Sequence, residues 1–211
     1  MEESWDSTTP FLTIDPTVSY RLKPVYDALN GGDWKSMLEQ DDELRIRLAS
    51  QGVADPEDRS TMSWDDANLF FASCIDLTRN GRPSHLEAGI SKEKFGRFPY
   101  GSGSSLTYLR DWIRKSYKET DGLEEMADLL EKLDTRMSGT SMASGIGKMN
   151  ILGWLTNEEI TILRKRITSR CWTASADEPL DGGCQDAAKH LLALLRAAEK
   201  RKCGVLYRVH K

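Results

Sequence analysis

The stretch Gln185-Asp-Ala-Ala-Lys-His-Leu-Leu-Ala-Leu-Leu-Arg-Ala-Ala-Glu-Lys-Arg-Lys202, followed after Cys203 by Gly204-Val-Leu-Tyr-Arg-Val209, decides the fold. Ala188, Leu191, Leu192, Leu195 and Ala198 recur at helical spacing, basic residues fill the last turns and Gly204 stands at the end, which predicts an amphipathic helix. Val205 to Val209 then switches to alternation, the period of a strand. A strand at the end of the chain needs a partner. Phe11-Leu-Thr-Ile14, a short β-favouring run closed by the turn signal Asp15-Pro16, can supply it from the other end.

Between these two runs the patterns are helical. Ser19 can cap a helix running to Asn30, with Val25 and Leu29 on one face and Gly31-Gly32 as its stop. Asp33 caps a further turn or two carrying Trp34, Met37 and Leu38, and an acidic helix through Leu44, Ile46 and Leu48 ends at Gly52. Ser63-Trp-Asp-Asp66 is close to a capping box and leads into Ala67, Phe70, Phe71, Cys74 and Ile75 at helical spacing. Ser104 or Ser105 opens a helix through Leu106, Leu109, Ile113 and Tyr117, and Gly122 separates it from one carrying Leu123, Met126, Leu130 and Leu133. Thr156-Asn-Glu-Glu159 is a full capping box, with Leu155 and Ile160 spaced as a hydrophobic staple, so a helix runs from Asn157 to about Ile167. Ser138 to Gly147 reads as a Gly/Ser-rich connection, and Cys171-Trp-Thr173 as a short strand. The expected fold is therefore mainly α within the α+β class: a compact helical domain with a small sheet formed by the N- and C-terminal strands.

At 211 residues the chain suits one domain, with residues 1–8 as a flexible start and 9–211 as a single helix-rich unit. It is 39% hydrophobic and 29% charged with six Trp, a globular composition, and no run approaches the length of a membrane span. Met1-Glu-Glu-Ser-Trp-Asp6 carries acid where a targeting peptide carries positive charge, so the expected location is cytoplasmic. Cys74, Cys171, Cys184 and Cys203 are widely spread and read as reduced packing residues. Charge is uneven: residues 1–60 hold thirteen Asp/Glu against six Lys/Arg, whereas residues 189–211 hold seven Lys/Arg against one Glu. Such asymmetry concerns association more than folding.

Motifs for chemistry come close and fail. Gly139-Thr-Ser-Met-Ala143 resembles the nucleophile segment of subtilisin-like serine proteases over five residues, but Gly145 stands where that motif has Pro, and the family's Asp and His segments are missing; His85-Leu-Glu-Ala-Gly89 is a faint echo at most. Ser141 is then a loop hydroxyl. Gly145-Ile-Gly-Lys148 fails as a phosphate-binding loop because Met142 and Met149 replace the required Gly and hydroxyl. Cys171, Cys184, His190, Cys203 and His210 lack the spacing of a metal site, and no cofactor motif is present. The basic tail is what a helix C-terminus prefers, and without an aromatic stacking run in an acidic chain it argues against nucleic acid. The inventory leans away from an enzyme without excluding scattered catalytic groups.

Gly153-Trp-Leu-Thr-Asn-Glu-Glu159, the long amphipathic helix and the Gly-Val-Leu-Tyr strand together resemble the C-terminal ends of small uncharacterised bacterial immunity-type proteins, over about sixty residues and without a diagnostic motif. The resemblance implies a toxin antagonist and carries over no functional residue. Joined to the acidic front, it gives the expectation of a cytoplasmic protein-binding inhibitor that neutralises a basic toxin through an acidic surface. Asp41, Asp42, Glu43, Asp55, Glu57 and Asp58 are the expected contacts, with Trp34 or Trp64 as anchor. The alternative is an enzyme or small-anion-binding domain using the irregular 82–105 segment with His85, Arg97 and Ser104. A homo-oligomer packed through the basic C-terminal helix is a third reading.

Overall fold

A computed structural model describes residues 11–86, 104–116, 122–169 and 171–210. The strand Gly204–His210 (β6) lies inside an antiparallel sheet of order β1-β6-β4-β3, with β1 at Phe11–Thr17, β3 at Ser144–Gly145 and β4 at Met149–Leu155. The terminal strands pair as their alternation predicts, in register from Phe11 opposite His210 to Thr17 opposite Gly204. Pro16 is part of β1 and does not end it. Because β1 is an edge strand, the missing N–H costs no ladder bond there.

Successive residues of β6 face opposite sides. Val205 and Tyr207 join Leu12, Ile14 and Leu155 in one core, while Leu206 joins Ile151 and Trp154 in a second. The first core is closed by Ser105–Trp112 (α5), Leu123–Thr135 (α6), Asn157–Thr168 (α7) and Gly183–Arg201 (α8). The second is closed by Ser19–Leu29 (α1), Trp34–Glu39 (α2), Asp42–Ser50 (α3) and Asp66–Cys74 (α4). The chain is thus α+β with one sheet between two layers of helices.

The sheet is larger than the terminal strands alone. Strand β4 pairs with β6 on the side away from β1, through a bulge between Ile151 and Gly153. Met149-Asn-Ile-Leu-Gly-Trp-Leu155 lacks alternation because both of its faces are covered, and a short apolar run without a period does not announce itself as a strand. A second correction concerns α5, which stops at Trp112: Ile113–Lys115 (β2) pairs antiparallel with Trp172–Ala174 (β5). Tyr117, at the expected end of that helix, lies outside the described residues.

Caps also differ in detail from the sequence reading. α4 is capped by Asp65, whose carboxylate accepts the Asn68 N–H at 2.9 Å, and not by Ser63. Ser19 is the first residue of α1, and its hydroxyl accepts the Asn157 N–H at 2.8 Å, tying α1 to α7. The capping box of α7 forms as read: Glu159 N–H donates to Thr156 Oγ1 and Thr156 N–H to Glu159 Oε2. α8 ends through Lys202 in the left-handed region, φ 55°. Gly204 therefore serves another purpose: a Cβ there would press against Leu22, Thr17 and the Leu155 carbonyl, so glycine lets β6 approach its neighbours.

All four cysteines are free and buried. Burial pushes the Cys184 thiol up to about 12 and the Cys203 thiol up to about 11, and drives Cys74 further in the same direction. The native protein should therefore leave all four unlabelled by a thiol reagent at pH 8 and release four equivalents in denaturant. Rapid labelling of any of them in the folded protein would show that its burial is transient.

Candidate protein-binding surface

Among thirteen acidic side chains in residues 1–60, several are consumed by the backbone. Asp33 accepts the Ser36 N–H at 3.0 Å to start α2, Asp41 accepts the Leu44 N–H at 2.9 Å to start α3, and Asp58 accepts the Ser60 N–H at 2.9 Å to start a short 3-10 turn, Arg59–Thr61. These bonds favour the charged carboxylates, and Asp33 and Asp58 are held below the usual range by their Ser36 and Ser60 hydrogen bonds. Part of the acidic front is thus a set of helix caps.

Asp41 does more. It receives Arg21 Nε at 2.6 Å and Nη2 at 2.9 Å, with the arginine only 2% exposed. Burial works to raise its pKa, but the Arg21 hydrogen bonds, the Leu44 N–H and the Arg21 charge outweigh that and leave it lowered. Asp41 is committed to the interior. Asp42 and Glu43 stay in solvent, 76% and 82% exposed, although Glu43 comes within 3.4 Å of Arg21 Nη2. On the same face of α3, one turn on, stands Ile46, itself 67% exposed. Leu44 and Leu48 take the buried face.

Arg45 connects this patch to the following loop, reaching Asp42 at 2.7 Å and Glu57 at 3.3 Å. Beside it, a groove of about 310 Å³ runs between Gly52–Asp55 and Thr61–Trp64. Val53 is its buried base, Met62 and half-buried Trp64 form its apolar wall, and exposed Asp55 is at the rim. Arg59 fixes that wall by pairing with Asp66 at 2.6 Å and donating to the Trp64 carbonyl at 3.0 Å. An apolar groove with a carboxylate at its mouth suits an arginine or lysine, whose stem packs while its charge stays outside.

The structure places the expected contacts unequally. Arg45 joins Asp42 to Glu57, Asp55 and Trp64 line the groove, and Glu43 and Asp58 are exposed on the same two segments. Trp34 is inside: it is 5% exposed, and its indole N–H donates to the Pro56 carbonyl at 2.8 Å, so it supports the 55–58 loop from below. Sequence reasoning missed Arg21, Arg45 and Arg59, because nothing local marks an arginine as an organiser of distant carboxylates. The exposed Ile46 was legible only as one more apolar residue of a helix.

The alternative residues do not come together in what is described. Arg97 lies outside the described residues, as do residues 87–103 of its segment. Exposed His85 gives its backbone carbonyl to Arg201, while Ser104 caps α5 and shares a 3.0 Å hydrogen bond with Tyr207 Oη. Ser141 is exposed in a turn. The near-match Gly145-Ile-Gly-Lys148 is occupied by the protein itself: Asp65 accepts the Ile146 N–H at 3.0 Å, and a Cβ on Gly145 would overlap that carboxylate. Among the described residues no three His, Cys, Asp or Glu side chains group to hold a metal ion. No helix among them is long and apolar enough to cross a membrane. No family model, curated protein or solved structure matches the chain.

Proposed function

We propose that this chain is a protein-binding inhibitor of the immunity type, which neutralises a basic toxin by covering it with the acidic surface of α3 and the 51–65 loop. The observation that carries the reading is the juxtaposition of highly exposed Asp42 and Glu43 with exposed Ile46 and the Asp55-rimmed groove against Trp64. Acid exposed at the rim speeds the encounter with a cationic partner, and a tryptophan wall with an exposed isoleucine gives it apolar area to bury.

The test begins with purification from the native cell, where a stoichiometric basic protein is the expected companion. Changing Asp42, Glu43 and Asp55 together to lysine should then slow association at least about tenfold at low salt, with little effect on melting, since these side chains are exposed. Trp64→Ala should weaken the complex by about 2 kcal/mol, chiefly through faster dissociation. A basic partner whose affinity is the same for wild type and the triple lysine variant would remove this surface from the function. Absence of any basic companion would remove the inhibitor reading itself.

A further inference from the structure

The groove between Gly52–Asp55 and Thr61–Trp64 holds about 310 Å³, at the foot of the range of about 300–1,000 Å³ for sites that enclose a whole small molecule, and so suits one side chain. We propose that it receives a single arginine side chain of the basic partner, with the guanidinium stacked on the Trp64 ring and paired with the Asp55 carboxylate. Taking this surface as the one that meets the partner, the groove decides which residue of the partner is recognised.

The lining is apolar below and electron-rich above. Val53 is buried, and Met62 and Trp64 pack against the second core, which gives an arginine stem a fixed surface to lie on. Asp55 Oδ1 accepts the Glu57 N–H at 3.1 Å, which orients that exposed carboxylate and leaves Oδ2 unengaged among the described residues. Thr61 Oγ1 donates its proton to the Asp58 carbonyl at 2.9 Å and so presents lone pairs alone. α3 ends just before Gly52, and the negative end of its dipole favours a cation there. Asp55 is the one charged residue on the lining, and the neighbouring cations are already matched, Arg45 by Asp42 and Glu57 and Arg59 by Asp66.

These features favour arginine over lysine. An ammonium is compact and strongly hydrated, and Asp55 would be its main partner. A guanidinium is planar and weakly hydrated, stacks on an indole face and donates in its own plane to more than one oxygen at once. The protein uses that arrangement within its own fold: the Arg136 guanidinium carbon lies 3.9 Å from the centre of the Trp154 ring, and its nitrogens donate to the two Glu159 oxygens at 3.2 and 2.6 Å. In the groove Trp64 supplies the indole and Asp55 the carboxylate, and the partner brings the guanidinium.

The experiment titrates the isotopically labelled full chain with N-acetyl-arginine amide, followed by nuclear magnetic resonance of its amides, beside N-acetyl-lysine amide and the uncharged isostere N-acetyl-citrulline amide at matched ionic strength. Saturating shifts are expected at the amides of Val53, Ala54 and Asp55 and at the Trp64 indole, with half-saturation below about 20 mM. Arginine should bind at least about threefold more tightly than lysine, and citrulline more weakly than either. Asp55→Asn, an exposed change that leaves the fold intact, should weaken arginine about threefold. Trp64→Leu keeps an apolar wall and should weaken it by a similar factor of about three; the Asp55 variant carries the test if loss of Trp64 disturbs the fold. No saturating shift at these positions up to about 50 mM, or equal affinity for arginine and either comparison compound, would overturn the proposal. A basic companion that needs Asp42 and Glu43 while the groove takes no arginine would remove the groove alone. Arginine binding here without any basic companion in the cell would remove the inhibitor and leave an arginine-binding groove.

Discussion

Asp41→Ala is expected to cost about 3 to 5 kcal/mol of folding stability, the range for stranding a buried charge, measured as a fall in the urea midpoint at unchanged slope. Arg21 is 2% exposed and its Nε and Nη2 both donate to Asp41; Glu43, the other carboxylate in reach at 3.4 Å, is itself 82% exposed and too well hydrated to replace it. Burial works against the charge on Arg21, and the hydrogen bond and charge of Asp41 outweigh it. Arg47 makes the dependence sharper. Its Nε and Nη2 are buried without partners among the described residues, and burial together with repulsion from Arg21 lowers its pKa. Removing Asp41 would leave two guanidinium groups facing each other in the second core and would also uncap α3.

Two controls separate these causes. Asp42→Ala, one residue away but exposed, should shift stability by less than about 0.5 kcal/mol. The double change Arg21→Met with Asp41→Leu should recover most of the loss, because replacing both partners of a buried pair by apolar side chains removes the desolvation cost along with the attraction. Acidity gives the same result by titration. Asp41 has a lowered pKa in the folded state, so its contribution is full above the ordinary carboxyl value near 4 and is lost as pH falls through the folded value. The melting temperature should therefore drop below about pH 4, and drop less steeply in Asp41→Ala. A flat profile in the wild type would show that Arg21 does not depend on this carboxylate.

Gly153→Ala is expected to cost roughly 3 kcal/mol, a large effect for one methyl group. A Cβ at Gly153 would overlap the carbonyl oxygens of Lys132 and Leu133, which are backbone atoms of α6 and cannot rotate away. β4 would have to leave α6, and the hydrogen bond from Met137 N–H to the Leu152 carbonyl, 2.9 Å, would go with it. Trp154, whose ring lies 3.9 Å from the Arg136 guanidinium carbon, would shift at the same joint. The comparison is Gly139→Ala, where nothing lies within 4 Å and only the positive φ of 78° is violated; about 1 kcal/mol is expected there. Equal losses at the two positions would mean that β4 and α6 can separate freely.

The difference between those glycines also shows what could be read in advance. Gly139 belongs to a Gly/Ser-rich run that announces a turn, and it is in one. Gly153 looked like an interruption of an apolar run, and its reason for being glycine is a helix that ends about twenty residues earlier in the chain. The same holds at the candidate surface. The acidic composition of residues 1–60 was plain, but which carboxylates face solvent depended on three arginines and three caps. Asp41 and Asp42 are neighbours in sequence; one is half-buried and held by buried Arg21, and the other is exposed.

By itself the sequence determined the helices with periodic apolar faces and written caps, above all α7 and α8, and the pairing of the two terminal strands, whose alternation leaves only one face for each core. Those features are local: a period of 3.6 or 2 and a capping side chain act within a few residues. Tertiary structure alone decided that β4 runs through the sheet, that α5 yields to a second small sheet at Ile113, and that Trp34 goes inside while Trp64 lines a groove. Each of those outcomes is set by what approaches from far along the chain, where burial on both faces erases periodicity and a distant arginine decides which carboxylate keeps its water.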